Sequence, residues 1–380
     1  MPPHSKLTLN QAIFPVGTAQ AGPADAVAPP DLLGALCYGV DSALDSQRNA
    51  LSGHDCAVQY VALPLLGTGP GEPGSCLWQS IYSDWPVRSG HSRRIRYRTD
   101  GVFVFGVLEL PRVSDEAGEL TRSAQDAYDE IFTFLQTLDS RQRFKLWRVW
   151  NYMPDIHGEE NNLERYRQFN SGRLRAFAEL WAAQSLALRA PYDPFCDIPA
   201  SCAVGIDGPS PRLRLTVAFL ASPLTFVQIE NPRQVSAYQY PTDYGPSSPT
   251  FSRAVLGPME FATDRQCPYF FISGTGSIVG HRTLHRGDVA EQCRESLRNI
   301  EALVREANRR LTARDQPTLT MVQPCYLVYL RYPQHLSTVQ QVLSQALGSK
   351  AKVRFLQAEI CRSDLLVEIE ATLLSAALPA

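Results

Sequence analysis

Residues 288–311 read DVAEQCRESLRNIEALVREANRRL, and the spacing within them sets the architecture. Val289, Cys293, Leu297, Ile300, Val304, Ala307 and Leu311 recur at steps of four and three, which places them on one face of a helix. Asp288 and Glu291 supply an Asp-x-x-Glu capping box at its start. That apolar face needs a sheet to cover, and the flanking sequence provides one. PYFFISGTGSIVG (268–280) precedes the helix as a strand run, and CYLVYLRYP (325–333) follows it as another. STVQQVLSQAL (337–347) then reads as a helix, and KVRFLQAEIC (352–361) and DLLVEIEATLL (364–374) as two closing strands.

The same order of strand, helix, strand, helix, strand, strand occurs upstream. VFVFGVLEL (102–110) is a strand, and Ala127, Ile131, Phe134, Leu135 and Leu138 follow at helical spacing. FKLWRVWNY (144–152) is a strand, 163–181 a helix, and CAVGI (202–206) and LRLTVAFL (213–220) are strands. This predicts an internal duplication in an α+β chain, each unit a mixed sheet covered by two helices. The expected domains are 1–234, with an irregular N-terminal arm, and 235–380. The arm is expected because the first 30 residues, and GTGPGEPGS at 67–75, carry Pro and Gly without apolar periodicity.

With 380 residues, 44% hydrophobic and 19% charged, the chain suits a globular enzyme or ligand binder rather than a disordered chain. Lys and Arg together number 36 against 38 Asp and Glu, which argues against a nucleic-acid partner. The N-terminus is too polar for a secretory signal and no apolar run suffices for a membrane span, so a cytoplasmic protein is expected. The nine cysteines are scattered with no C-x-x-C pair, and read as reduced thiols without a zinc site. His281 and His285 lie in a loop before the helix cap without further ligands, and GTGPGEPG (67–74) lacks the Lys-Ser/Thr of a phosphate loop. Neither metal nor nucleotide cofactor is expected. The cations are almost all arginine, with lysine only at 6, 145, 350 and 352. Guanidinium forks grip carboxylates bidentately.

Three segments of the second unit, GDVAEQCRESLRNIEALVREA, VYLRYP and VRFLQAEICRSDLLVEIEA, resemble the RidA/YjgF family in order and spacing, as does the upstream YGPSSPTFSRA. Members of that family commonly form trimers with ligand clefts between subunits, and a tandem pair would form such a cleft internally. From about residue 100 onward the chain resembles the chorismatases more narrowly. That resemblance rests on LWRVWNYMPDI, ERYRQFNSGRLRAF, IENPRQVSAYQYP, YGPSSP, ISGTGSIVGH and EICRSDLLVEIEA, in this order. It implies cleavage of the enolpyruvyl ether of chorismate, releasing pyruvate and a cyclic acid.

Such chemistry needs cations for two carboxylates and one protonated acid at the methylene carbon. A carboxyl whose acidity is lowered by burial fits the second requirement. Glu368 is the expected general acid, and its counterpart in the first repeat is Thr216. On strand spacing alone Glu368 is an outward residue sharing a face with Glu370. Arg354 resembles the carboxylate-binding arginine of the RidA family and is expected to take one substrate carboxylate, as an ionic pair with Glu368 kept only in the second repeat. Arg165 and Arg173, eight apart, either present one helical face to the cleft or pair with Glu164 or Glu179 at the surface. Tyr238 and Tyr244, in the segment joining the repeats with Arg233, are candidates to orient the substrate. Gly276 implies either positive φ or room beside a ligand, and Cys361, seven residues before Glu368, reads as a buried small hydrophobe shaping the pocket. Gly276 together with Cys361 resembles the branch that makes 3-hydroxybenzoate, sometimes with 4-hydroxybenzoate. The competing readings are a hydrolytic chorismatase giving a dihydroxycyclohexadiene carboxylate, a RidA-like imine or enamine hydrolase, and a non-enzymatic carboxylate-binding protein. An oligomeric partner is not specified by the sequence.

Overall fold

A computed structural model describes residues 5–14, 30–51, 55–67, 75–111, 119–139, 143–160, 162–188, 193, 195–206, 213–258, 268–313 and 318–374. The N-terminal part contains β1 (Leu7–Phe14), β2 (Leu32–Gly39), α1 (Asp41–Ala50), β3 (Val58–Ala62), β4 (Leu65–Leu66) and β5 (Cys76–Ser83). The middle part contains β6 (Arg88–Ser92), β7 (Ile95–Thr99), β8 (Val104–Pro111), α2 (Glu119–Leu138), β9 (Lys145–Pro154), the short pair β10 (Glu159–Glu160) and β11 (Leu163–Glu164), α3 (Arg165–Leu188), β12 (Ala200–Ile206) and β13 (Leu213–Ser222). The last part contains β14 (Val227–Ile229), β15 (Ala254–Gly257), β16 (Tyr269–Thr275), β17 (Ile278–Val279), β18 (Arg282–Thr283), α4 (Val289–Thr312), β19 (Cys325–Leu330), α5 (Leu336–Leu347), β20 (Lys352–Gln357) and β21 (Val367–Leu373).

The duplication is visible in the sheet orders. The second sheet runs β12-β9-β13-β8-β7-β6, and the third runs β20-β19-β21-β16-β15-β14, with β4 added beyond β20. In each, one parallel pair (β9–β12, β19–β20) is bridged by a helix (α3, α5), because a parallel connection needs a crossover. The last strand of each unit then inserts antiparallel beside it. Since β14 already belongs to the third sheet, the second unit begins by Val227, ahead of the join expected near residue 235.

Within the stretch expected to be irregular, Leu7–Phe14 forms a strand instead, and with residues 32–83, to which the sequence assigned no element, it builds a third sheet-forming unit. Its sheet runs β3-β2-β5-β1, with β2–β3 parallel across α1 and β5 inserted antiparallel, the same core order as in the other two. Residues 15–29 and 68–74, where loops were expected, lie outside the described residues.

Strand alternation divides the core. Tyr326, Val328 and Leu330 of β19 face α4 and α5, while Leu327 and Tyr329 face a central cluster. On β9, Val149 and Met153 face α2 and α3, while Trp150 and Tyr152 face that same cluster. Leu36 and Tyr38 of β2 join it from the first sheet. The strands are therefore apolar on both faces, as their unbroken hydrophobic runs require. At the centre, the Tyr152 hydroxyl lies 3.0 Å from that of Tyr38 and 2.8 Å from that of Tyr329, one tyrosine from the matching strand of each sheet.

Candidate active site

The second and third sheets are stitched together beside β21. Gly205 of β12 and Glu359 exchange backbone hydrogen bonds of 2.7 and 3.2 Å, and Ser252 donates to the Pro199 carbonyl at 2.9 Å. Between the two units lies a cavity of about 220 Å³. From the first unit it is lined by Glu164, Tyr166 and Arg167, at the start of α3. The second unit contributes Tyr240, Tyr244, Phe251, Arg253, Gly274, Gly276, Cys361, Arg362 and Glu368 among others. Clefts between packed units are where small-molecule sites concentrate.

Glu368 stands on β21 opposite Tyr329, and Thr216 occupies the corresponding place opposite Tyr152 in the first unit, as the repeat comparison predicts. The acid is 3% exposed. Burial, reinforced by the negative charge of Glu370, lifts its carboxyl from 4.5 to about 8, with Arg148 and the hydrogen bond from Cys361 pulling the other way. A buried carboxyl in this state holds its proton at neutral pH. The Cys361 thiol donates to Glu368 Oε2 at 3.8 Å, and burial with the adjacent carboxyl keeps that thiol un-ionised.

The chain makes room for the acid with a bulge. Across β16 and β21 the register shifts by one residue between Ile272 and Thr275, the interval that contains Gly274. A Cβ on Gly274 would fall 2.0 Å from Glu368 Oε1, so only glycine lets the carboxyl lie across this strand. Two residues beyond Glu368, on the same face, Glu370 accepts from Arg148 Nη2 at 2.5 Å, both side chains being fully buried. Arg148 comes from β9, so this ion pair joins the two units behind the acid. Having removed one partner, a buried pair of this kind leaves a stranded charge.

Two arginines of the cavity hold unused donors. Arg253 Nη2 donates to the Val235 carbonyl at 2.9 Å and to the Tyr240 hydroxyl at 2.7 Å, leaving its Nε buried without a partner among the described residues. Arg362 Nη1 donates to the His281 carbonyl at 2.9 Å, and its Nη2 is likewise buried and unpaired. Its guanidinium lies 4.2 Å from the ring centre of Tyr244 and 5.2 Å from that of Tyr240. A buried donor without an acceptor is unfavourable, and an incoming carboxylate supplies the acceptor.

Of the residues expected from sequence, Glu368, Cys361, Gly276 and Tyr244 line this cavity. Arg354 does not: its Nη1 turns back to the Val353 carbonyl at 3.3 Å, and it forms no ion pair with Glu368. The ion pair that β21 does make is Glu370 with Arg148 of β9, in the other unit. Arg165 is held outside by Glu160 Oε1 at 2.7 Å and the Pro154 carbonyl. Arg173 is 1% exposed, stacked on Phe169 at 4.8 Å and donating to Asn170. Their helix reaches the cavity through Tyr166 and Arg167. Tyr238 stacks on Phe195 at 4.8 Å, and its neighbour Tyr240 takes the place expected for it. Gly276 has neither positive φ nor spare room, since a Cβ there would meet Leu365 Cδ1 at 2.9 Å. Arg253 and Arg362 were missed although both lie inside the quoted motifs, YGPSSPTFSRA and EICRSDLLVEIEA.

Comparison with known proteins agrees with this geometry. Residues 78–221 match the family model described as chorismatase FkbO/Hyg5-like, N-terminal. A 3-hydroxybenzoate synthase of Streptomyces hygroscopicus is 33% identical over 316 residues, spanning 82% of this chain and 85% of the relative. A chorismatase of the same organism is 34% identical over 288 residues, 75% of this chain and 76% of that one. A chorismatase crystal structure superposes with a TM-score of 0.73 at 27% identity, covering 98% of this chain and 99% of the other. A tandem α+β chain with a protonated acid, and two guanidinium groups that each keep one unpaired donor, in the cleft between its units is thus an enzyme, and it belongs to the chorismatase family. No described helix is long and apolar enough to cross a membrane.

Proposed function

We propose that this enzyme converts chorismate to pyruvate and 3-hydroxybenzoate, with 4-hydroxybenzoate as a second aromatic product. The observation that carries the reading is the buried, proton-holding Glu368 in a cavity that also presents unpaired donors of Arg253 and Arg362. Those guanidinium groups bind the two carboxylates of the substrate, and the Tyr240 and Tyr244 rings that back Arg362 fix its plane. Glu368 delivers its proton to the terminal methylene carbon, which becomes the methyl group of pyruvate, and the enol ether becomes an oxocarbenium-like centre. A ring hydroxyl then takes over the carbon–oxygen bond that the leaving pyruvate gives up. The ring loses one proton on aromatising, and that proton restores Glu368. The sum consumes no water, whereas the hydrolytic alternative consumes one.

Exclusion of water therefore separates the two outcomes. Ile278, Ile360 and Leu365 form an apolar cluster with Cys361 beside the acid, which supports the aromatising channel. The imine-hydrolase reading relied on Arg354 acting with Glu368, and Arg354 lies elsewhere. Incubating the purified protein with chorismate, and separating the products by chromatography, tests the proposal. Hydroxybenzoate and pyruvate in equal amounts are expected, at a rate reduced at least 10²-fold by Glu368→Gln. A dihydroxycyclohexadiene carboxylate as the main product would assign the hydrolytic branch, and inertness toward chorismate would overturn the reading.

A further inference from the structure

Tyr244, Arg362 and Asp364 line the catalytic cavity on one side and a second, outer cavity of about 330 Å³ on the other. Asp364 is occupied, holding Arg286 Nε at 3.1 Å and the Thr283 hydroxyl at 3.0 Å. Arg362, in the shared wall, donates only to neutral oxygens, those of His281 and Thr283. Arg282 also lines the outer cavity, is exposed, and has no partner among the described residues. The outer cavity thus has two guanidinium groups without a carboxylate of their own, set in series from solvent to the wall of the inner site. The one acid lining it besides Asp364 is Asp243.

We propose that this outer cavity is a docking subsite for a small carboxylate on its way to the inner site, with Arg282 meeting it first and Arg362 receiving it. The inference deepens the reading above and rests on it, because it supposes an anionic substrate. A doubly charged acid approaching from water is attracted over about a Debye length, roughly 8–10 Å at ordinary ionic strength. A cation at the mouth raises the frequency of productive encounters without taking part in the chemistry. Arg362 lines both cavities, with the Tyr244 ring centre 4.2 Å from its guanidinium, so a carboxylate handed on from Arg282 meets the next cation without being fully rehydrated.

The test measures association directly, in a Glu368→Gln background that binds chorismate without turning it over. Stopped-flow fluorescence should show the association rate constant falling about tenfold at low ionic strength when Arg282→Gln is added, with a weaker dependence on salt. Arg305→Gln is the control, because Arg305 is an exposed cation on α4 paired with Glu301, and its removal changes net charge equally. It should leave association unchanged. Equal slowing in both variants would mean a global field, and unchanged association in Arg282→Gln would mean no subsite; either result overturns the inference. Failure of chorismate to bind in the Glu368→Gln background itself would instead count against the functional reading.

Discussion

Replacing Glu368 with Gln should slow turnover at least about 10²-fold and, above neutral pH, make the protein more stable. In the folded chain this carboxyl holds its proton to about pH 8, whereas an ordinary glutamate releases it near 4.5. Between those values the folded state binds a proton that the unfolded state has lost, so unfolding free energy falls as pH rises. Stability is fully present below about pH 4.5 and is lost progressively up to about pH 8. At about 1.4 kcal/mol per pH unit the interval amounts to roughly 5 kcal/mol, undiminished by solvent because the side chain is 3% exposed. Glutamine has no proton to lose and escapes the whole of it. Any fixed change from its amide is independent of pH, and every other titrating group is common to both proteins. The assay is chemical or thermal unfolding of the two proteins side by side from pH 4.5 to 9. The difference in stability should grow in favour of the variant across that window, on the order of 10 °C in Tm at its upper end. Parallel curves would show that Glu368 ionises like an exposed carboxyl, and the general-acid argument would then fail.

Gly274→Ala places a methyl where the Glu368 carboxyl now lies, so turnover should fall on the order of 10²-fold while circular dichroism remains that of the wild type. Glu370→Gln removes the neighbouring charge that raises Glu368 and strands Arg148; the alkaline limb of kcat/KM should move below pH 8, with about 3–5 kcal/mol of stability lost. A limb that stays in place would separate Glu370 from the acid. Gly276→Ala should press on Leu365 and divert flux from hydroxybenzoate to the non-aromatic diol, with Leu365→Val restoring the ratio in the double variant. Additive effects on the product ratio would exclude that steric link.

What the sequence made legible was whatever carries a period. The α4 face from Val289 to Leu311 is buried as the steps of three and four require, and Asp288 caps it by accepting from the Glu291 amide at 3.0 Å. The N-terminal sheet escaped because its edge strand and helix signal weakly, although β2 and β5 are almost wholly buried. β1 has only Leu7 buried, and α1 buries just Ala43, Leu44 and Gln47 on an otherwise polar segment. Glu368 could be located from its contrast with Thr216 in the duplicate strand. Arg253 and Arg362 could not, because their directions are set by non-periodic segments anchored through Val235, His281 and Thr283. Arg354 shows the converse: strand alternation gives the side of the sheet on which a residue lies, but not which of the surrounding clefts its guanidinium enters.

The three tyrosines whose hydroxyls meet at the centre mark a broken symmetry. Opposite Tyr38, Tyr152 and Tyr329 on their neighbouring strands stand Leu77, Thr216 and Glu368. A ring of identical subunits would have to carry any change at this position three times over, acid or no acid. Within one chain the three positions can differ: Leu77 is plain packing, Thr216 accepts from Gln59 at 3.1 Å, and Glu368 retains a proton. Fusion also makes formation of the cleft unimolecular, so the catalytic surfaces find each other at an effective concentration fixed by the backbone rather than by the abundance of the protein in solution.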